Sequence, residues 1–265
     1  MVDKMGFISH IKLFKEYLKI AVATALEYRA NFVIQVLAMA FNDAFLLVFW
    51  FLFFDRFKLI NGWALEELMI LYALLTLAYG IAGVFFGNRS QIPKLIAEGK
   101  LDFYLNLPKE ELFHILISKS SSFAVGDIVF GLLLGAYVLT LSQWPLFLLF
   151  VVISTSFVVS FGVLVGSLGF YFGNAEETAR TLWMGMISLS SNPFSIFKGG
   201  ARIILLTLIP AGFVTGIPVE LLKNFTWSWF GILVGAAVIF LLLSIIIFRR
   251  GLRRYESGSM MTARI

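Results

Sequence analysis

Side chains able to do chemistry are scarce in this sequence, and the informative ones are those that fall inside its apolar stretches. Asn42 and Asp43 stand near the middle of one such stretch, and Asp127 stands towards the start of another. An ionised carboxylate at the centre of a bilayer costs at least ~2.5 kcal/mol, so each of these groups must face protein or water. They either line a polar path or proton site, or are held protonated or hydrogen-bonded by a neighbouring helix. Tyr72, Thr76 and Tyr79 recur at i, i+4 and i+7 on one helical face. That spacing fits a pore-facing stripe, and fits ordinary interhelical hydrogen bonding somewhat better. No enzyme constellation accompanies these residues. Cysteine is absent, which removes disulfides, thiolate metal sites and thiol nucleophiles. His10 and His114 stand at no ligand spacing and read as surface residues. No G-x-x-x-x-G-K-S/T phosphate loop is present: Gly99-Lys100 lacks both the upstream glycine and the following hydroxyl. The chain is therefore expected to hold no cofactor or metal and to hydrolyse no ATP itself.

The elements that position these residues follow from composition. Of 265 residues, 60% are hydrophobic and only 14% charged, with a mean hydropathy of +0.91. A soluble domain carries about 25% charged residues. Crossing hydrocarbon takes ~20 mostly apolar helical residues, and residues 31–54, 68–86, 123–141, 146–172 and 230–248 each supply such a run. The stretch 181–222 is interrupted by Lys198-Gly-Gly-Ala-Arg202, Pro193, Pro210 and Pro218. Charge settles the expectation. With six spans, a fifth starting near Arg202 and both termini inside, 18 of the 21 Lys and Arg lie on the cytoplasmic side. Only Arg56, Lys58 and Lys223 are left outside, as basic inner loops require. Residues 218–225 then form a short dip at the outer surface. The pI near 9.4 reflects contact with anionic headgroups and calls for no nucleic acid.

The expected fold is an all-α membrane protein in one domain, 1–265. An interfacial helix occupies residues 1–29, a six-helix bundle 30–248 and a cytoplasmic tail 249–265. The interfacial helix shows in residues 7–26, where Phe7, Ile11, Phe14, Leu18, Val22 and Ala25 share one face. No apolar run with a small-residue cleavage site opens the sequence, so no cleaved signal peptide is expected. After the second span, residues 91–98 can form a short helix with Pro93 in its first turn and Gly99 as its stop. Its apolar residues, with Lys94, Glu98, Lys100 and Asp102 beside them, suit docking on a partner better than solvent. The pairs Gly83/Gly87, Gly131/Gly135, Gly162/Gly166, Gly169/Gly173, Gly212/Gly216 and Gly231/Gly235 mark close helix approaches.

The order of these parts resembles the permease subunits of type-2 ATP-binding-cassette exporters, in a bacterial and archaeal branch. The resemblance rests on Leu26-Glu-Tyr-Arg-Ala-Asn31, on Ile96-Ala-Glu-Gly-Lys-Leu-Asp-Phe-Tyr-Leu-Asn-Leu-Pro108 and on Asn192-Pro-Phe-Ser-Ile-Phe197. Ile209-Pro-Ala-Gly-Phe213 and Pro218-Val-Glu add to it. One departure is Lys198-Gly199, where family members often have Pro-Gly before the fifth helix. The resemblance implies a multi-pass protein of a prokaryotic cytoplasmic membrane, a second identical or homologous permease, and an ATPase subunit that binds ATP and Mg. It implies an ATPase-coupling surface at Ile92, Leu95, Ile96, Glu98, Lys100, Asp102 and Phe103. It also implies a substrate path between the second and fifth helices, with Tyr72, Thr76, Tyr79, Thr207 and Thr215 as candidates, beside Asn42 and Asp43, which are path candidates by their mid-span placement alone. The competing class is an ATPase-independent channel or carrier, which should show a charge ring or polar filter.

Overall fold

The computed structural model describes residues 7–59, 62–107, 110–172 and 175–255, and among these the chain is helical with no strand. Helices α1 (Phe7–Glu27) and α2 (Arg29–Arg56) are separated only by a break at Tyr28. After α3 (Leu65–Phe85) come a 3-10 turn (Gly87–Gln91) and three short helices: α4 (Ile92–Ala97), α5 (Leu101–Leu105) and α6 (Glu111–Ile117). The chain continues as α7 (Phe123–Val138), α8 (Trp144–Gly166), α9 (Ala175–Ser190), α10 (Gly200–Thr207), α11 (Ile217–Lys223) and α12 (Trp227–Leu252). Among the described residues four helices are long and apolar enough to cross a membrane: α2, α3, α12, and α8 with its 3-10 extension to Phe170. At 16 residues, α7 and α9 each rise about 24 Å, short of those four but close to a hydrocarbon thickness.

α3 is the hub. α7 lies along one side of it and α8 along the other, with α2 beyond α7 and α12 beyond α8. Glycine makes the first contact possible. A Cβ on Gly83 would fall on Ala124, one on Gly80 would sit 2.7 Å from the Ile128 side chain, and one on Gly131 would sit 2.6 Å from Thr76 Oγ1. Aromatic rings fill the α8 side: Phe157 stacks on Phe213 at 5.3 Å and meets Phe240 edge-on at 5.6 Å. By contrast, α2 buries only Asp43 and Phe54, and most of its length is turned away from the chain.

The fifth span is not the straight helix expected from Arg202. α10 and the Gly212–Lys223 piece, a π-turn leading into α11, are bent by 78° at the intervening break. Pro210 and the glycines leave no unbroken run, and Gly199 enters α10 at φ +56°. Two contacts place this hairpin. Lys223 bridges Glu67, in the first turn of α3, at 2.6 Å, and Arg202 lies within electrostatic reach of Glu220. Arg202 therefore sits at the Glu67 end of the bundle, opposite the end that holds Arg89. It is the earlier piece, α9, that runs between the two ends. Arg180 and Trp183 of α9 flank Arg89, whereas Ser195, just beyond α9, lines a cavity with Trp63 and Lys223. The dip expected at 218–225 corresponds to α11 and its C-terminal turn.

α1 is amphipathic as expected, but it meets the bundle through a rotated face. His10 packs edge-on against Phe113 at 5.4 Å, Phe14 meets Phe85 at 5.7 Å, and the Tyr17 hydroxyl is 2.6 Å from His114 Nε2. Ile11 and Val22 stay exposed. His114 is consequently not a surface residue: it is 4% exposed and ties α6 to α1. Partial burial, with Tyr104 nearby, pushes the Tyr17 hydroxyl up from its ordinary range.

Candidate functional site

Two polar clusters run through the apolar bundle. The first joins α2, α7 and α3. At Gly126 an added Cβ would lie 2.5 Å from the Val36 carbonyl, so the α2 and α7 backbones nearly touch there. That approach brings Asp127, the next residue on α7, against Asp43 of α2. Both are buried, and each keeps one carboxyl oxygen without a hydrogen bond among the described residues. Further along α2, Trp50 Nε1 donates to the Tyr72 hydroxyl at 2.8 Å. Thr76 is wedged between α3 and α7, its hydroxyl donating to the Tyr72 carbonyl at 2.8 Å.

The second cluster lies between α3, α8, α9 and the π-turn. The Tyr79 ring meets Trp183 at 5.5 Å, and Thr215 Oγ1 donates to the Ser190 carbonyl at 2.7 Å. Ser154 Oγ donates to the Val214 carbonyl at 2.7 Å, taking up an acceptor that the irregular π-turn leaves over. The Tyr79 hydroxyl is turned to Ser190, and both hydroxyls, with that of Ser160, are buried without a well-formed hydrogen bond. At the end of this seam sits Arg89, 7% exposed, its guanidinium 4.7 Å over Trp183. The sequence-derived path residues are thus divided. Asp43 and Tyr72 belong to the first cluster and Tyr79 and Thr215 to the second, while Asn42 and Thr207 are exposed outside both. Arg89, Ser190 and Asn88 were not anticipated, because nothing in the spacing marks a loop arginine or asparagine as buried.

The segment between α3 and α7 is keyed into α8. Arg89, Ile92 and Ile96 lie over Gly162, Gly166 and Gly169, where added Cβ atoms would come within 2.8, 2.9 and 2.9 Å of them. α4 ends as the sequence demands. Gly99 takes φ +69°, and the Lys100 amide donates back to the Leu95 carbonyl at 2.9 Å. Asn88 bolts the far side, donating to Ser118 Oγ at 2.7 Å, the Ile115 carbonyl at 3.0 Å and the Tyr104 hydroxyl at 3.3 Å. Ile92 and Ile96 are therefore internal packing residues, not anchors offered to a partner, and Leu95 is half-buried beside them. The outward edge consists of Lys94, Ala97, Glu98, Lys100 and Phe103, the last 63% exposed. Lys100, 2.7 Å from Glu98, holds that carboxyl below its usual range. Asp102 is half-buried beside Tyr255 at the end of α12, whose hydroxyl is pushed up to about 12 by burial and by that carboxyl.

Long apolar helices around buried polar seams define an α-helical integral membrane protein. More narrowly, residues 20–259 match the family described as ABC-2 family transporter protein, and the chain belongs to that family, the membrane permeases of ATP-binding-cassette transporters. Among curated proteins and among solved structures nothing matches.

Proposed function

We propose that the chain is the permease subunit of an exporter driven by a separate ATPase subunit, which docks on the Lys94–Phe103 edge. The observation that carries this reading is the two-faced construction of α4 and α5. Their apolar side is locked into the glycines of α8, while their outer side presents paired charges and an exposed aromatic ring. A push on that edge reaches α8 and α3 through packed side chains, without a compliant loop between. In this reading the crossings are α2, α3, α7, α8, α9 and α12, and the α10–α11 hairpin re-enters from the outer side. Both termini and residues 87–119 then face the cytoplasm. All but five of the 21 Lys and Arg (Arg56, Lys58, Lys198, Arg202 and Lys223) lie inside, so the basic-inside asymmetry survives the correction at Arg202.

A second permease completes the unit. Asn42 is exposed at mid-span on α2, beside Phe41 and Phe45 at 71% and 76% exposure. The amide reaches the Asp43 carboxyl within its own helix, yet it still presents polar surface to lipid at that depth, which is disfavoured, and a second copy of α2 would cover it. The seam from Arg89 through Tyr79 to Thr215 is the substrate path in this reading, and the Asp43–Asp127 pair lies off it. The test is purification of the tagged full chain from its native membrane. An ATP-hydrolysing subunit should accompany it in near-equal amount; a chain that purifies intact with no ATPase and transports without ATP would contradict the proposal.

A further inference from the structure

Arg89 carries a charge that no ion pair among the described residues neutralises. Arginine stays protonated in proteins, and among the described residues no carboxylate lies within ion-pair distance of this one. Part of its bonding is structural. Nη1 donates to the Ala82 and Phe86 carbonyls at 2.6 and 3.0 Å, closing the last turn of α3. Nε has no hydrogen-bond partner although it is buried. The same side chain lines a cavity of about 230 Å³ that also receives Ser90, Gln91, Glu176, Arg180 and Trp183. Ser90 and Gln91 follow Arg89 directly, and Arg180 brings a second guanidinium from α9. Gly162 keeps the space open, since a Cβ there would lie 2.8 Å from Arg89 Cδ.

We propose that this cavity binds a negatively charged phosphate group at the Arg89 end of the bundle. The chemistry is specific to that class of ligand. A phosphate oxygen accepts from guanidinium donors in charge-assisted hydrogen bonds, and the Gln91 amide, which spends one N–H on Ser90 Oγ at 3.5 Å, keeps a second as a neutral donor, while the Ser90 hydroxyl is given to the Gly87 carbonyl at 3.2 Å. A cation would meet Arg89 and Arg180 and be repelled. Among the described residues Glu176 is the one opposing charge on the cavity wall, so its removal should strengthen anion binding. The phosphate has two possible sources: the headgroup of a lipid in the adjoining leaflet, or free phosphate from solution. The proposal does not depend on the direction of transport or on a bound ATPase.

The test uses the full chain purified in a phosphate-free, uncharged detergent and titrated separately with phosphatidylglycerol and inorganic phosphate. Thermal unfolding and the fluorescence of Trp183, isolated by comparison with Trp183→Phe, are the readouts. Saturable stabilisation with a change in Trp183 emission is expected from at least one of the two. A response to lipid alone assigns a headgroup, a response to phosphate alone assigns a soluble ligand, and a response to both assigns the phosphate itself. Arg180→Gln should weaken the apparent affinity about tenfold, the worth of one charge-assisted hydrogen bond, and Glu176→Gln should tighten it. These two exposed positions keep the test decisive if Arg89→Gln, which uncaps α3, fails to fold. No response to either ligand, or equal responses in wild type, Arg180→Gln and Glu176→Gln, would overturn the proposal and leave Arg89 as a helix cap stacked on Trp183.

Discussion

Ile92→Ala and Ile96→Ala are each expected to lower the stability of the purified chain by about 2–5 kcal/mol, the range for truncating a fully packed isoleucine. Both side chains are buried, at 0% and 6% exposure, against Gly166 and Gly169 of α8 and within the cluster that holds Leu101, Ile115 and Phe248. The glycines cannot close the space that a shortened partner would leave, because their backbone is fixed in α8 and its 3-10 extension. Phe103→Ala should behave oppositely: at 63% exposure, its removal should change stability by no more than about 0.5 kcal/mol. The same substitution should release the ATPase subunit. Thermal unfolding of the isolated chain separates the two kinds of residue. Equal midpoints for wild type and Ile96→Ala would mean that α4 is not keyed into α8.

An all-or-none result is expected from sidedness. The chain has no cysteine, so single introduced cysteines can be read without background. Lys198→Cys and Lys223→Cys should both react with an impermeant thiol reagent supplied outside the cell, and Lys100→Cys should not. Lys198 precedes α10, whose Arg202 reaches Glu220, and Lys223 bridges Glu67 at the start of α3. Lys100 lies beyond the other end of α3. A straight span from Arg202 would instead leave Lys198 on the side of Lys100. Protection of Lys198→Cys together with Lys100→Cys would restore that arrangement and remove the outer hairpin.

The difference between reading and structure in this region has a physical origin. Glu176, Glu177 and Arg180 open α9, and their charge hides a helix that nevertheless runs from Arg89 to the neighbourhood of Lys223. The piece after Arg202 is more apolar, yet Pro210 and Gly212 fold it back. Hydropathy measures how much a segment prefers lipid, not whether its backbone can continue. The same limit applies to neighbouring polar residues. Asn42 and Asp43 are adjacent and equally out of place in lipid, yet Asp43 is buried against α7 while Asn42 faces outward. What separates them is the contact between Gly126 and Val36, a pairing of two helices that no local pattern encodes. Elements with local signals were legible. The turn at Gly99, the helix before it and the amphipathic α1 follow from residues within one or two turns. The glycines at 162, 166 and 169 announced a close approach, but their partner comes from about 70 residues earlier and is not a helix crossing at all. That pairing changed the meaning of Ile92 and Ile96 from partner anchors to internal keys.

Contact between the Lys94–Phe103 edge and an ATPase subunit is the central claim, and site-specific photo-crosslinking tests it most directly. A photoreactive amino acid placed at Phe103 in the otherwise intact complex should crosslink to an ATP-binding subunit, and the same probe at Thr207 should not. Thr207 is exposed on α10, whose Arg202 lies at the opposite end of the bundle, and so controls for indiscriminate capture. The crosslink from Phe103 should also respond to nucleotide, since closure of the ATPase would load the edge. Crosslinking from Phe103 to lipid alone, with or without ATP, would contradict the docking edge and leave α4 and α5 resting on the membrane surface.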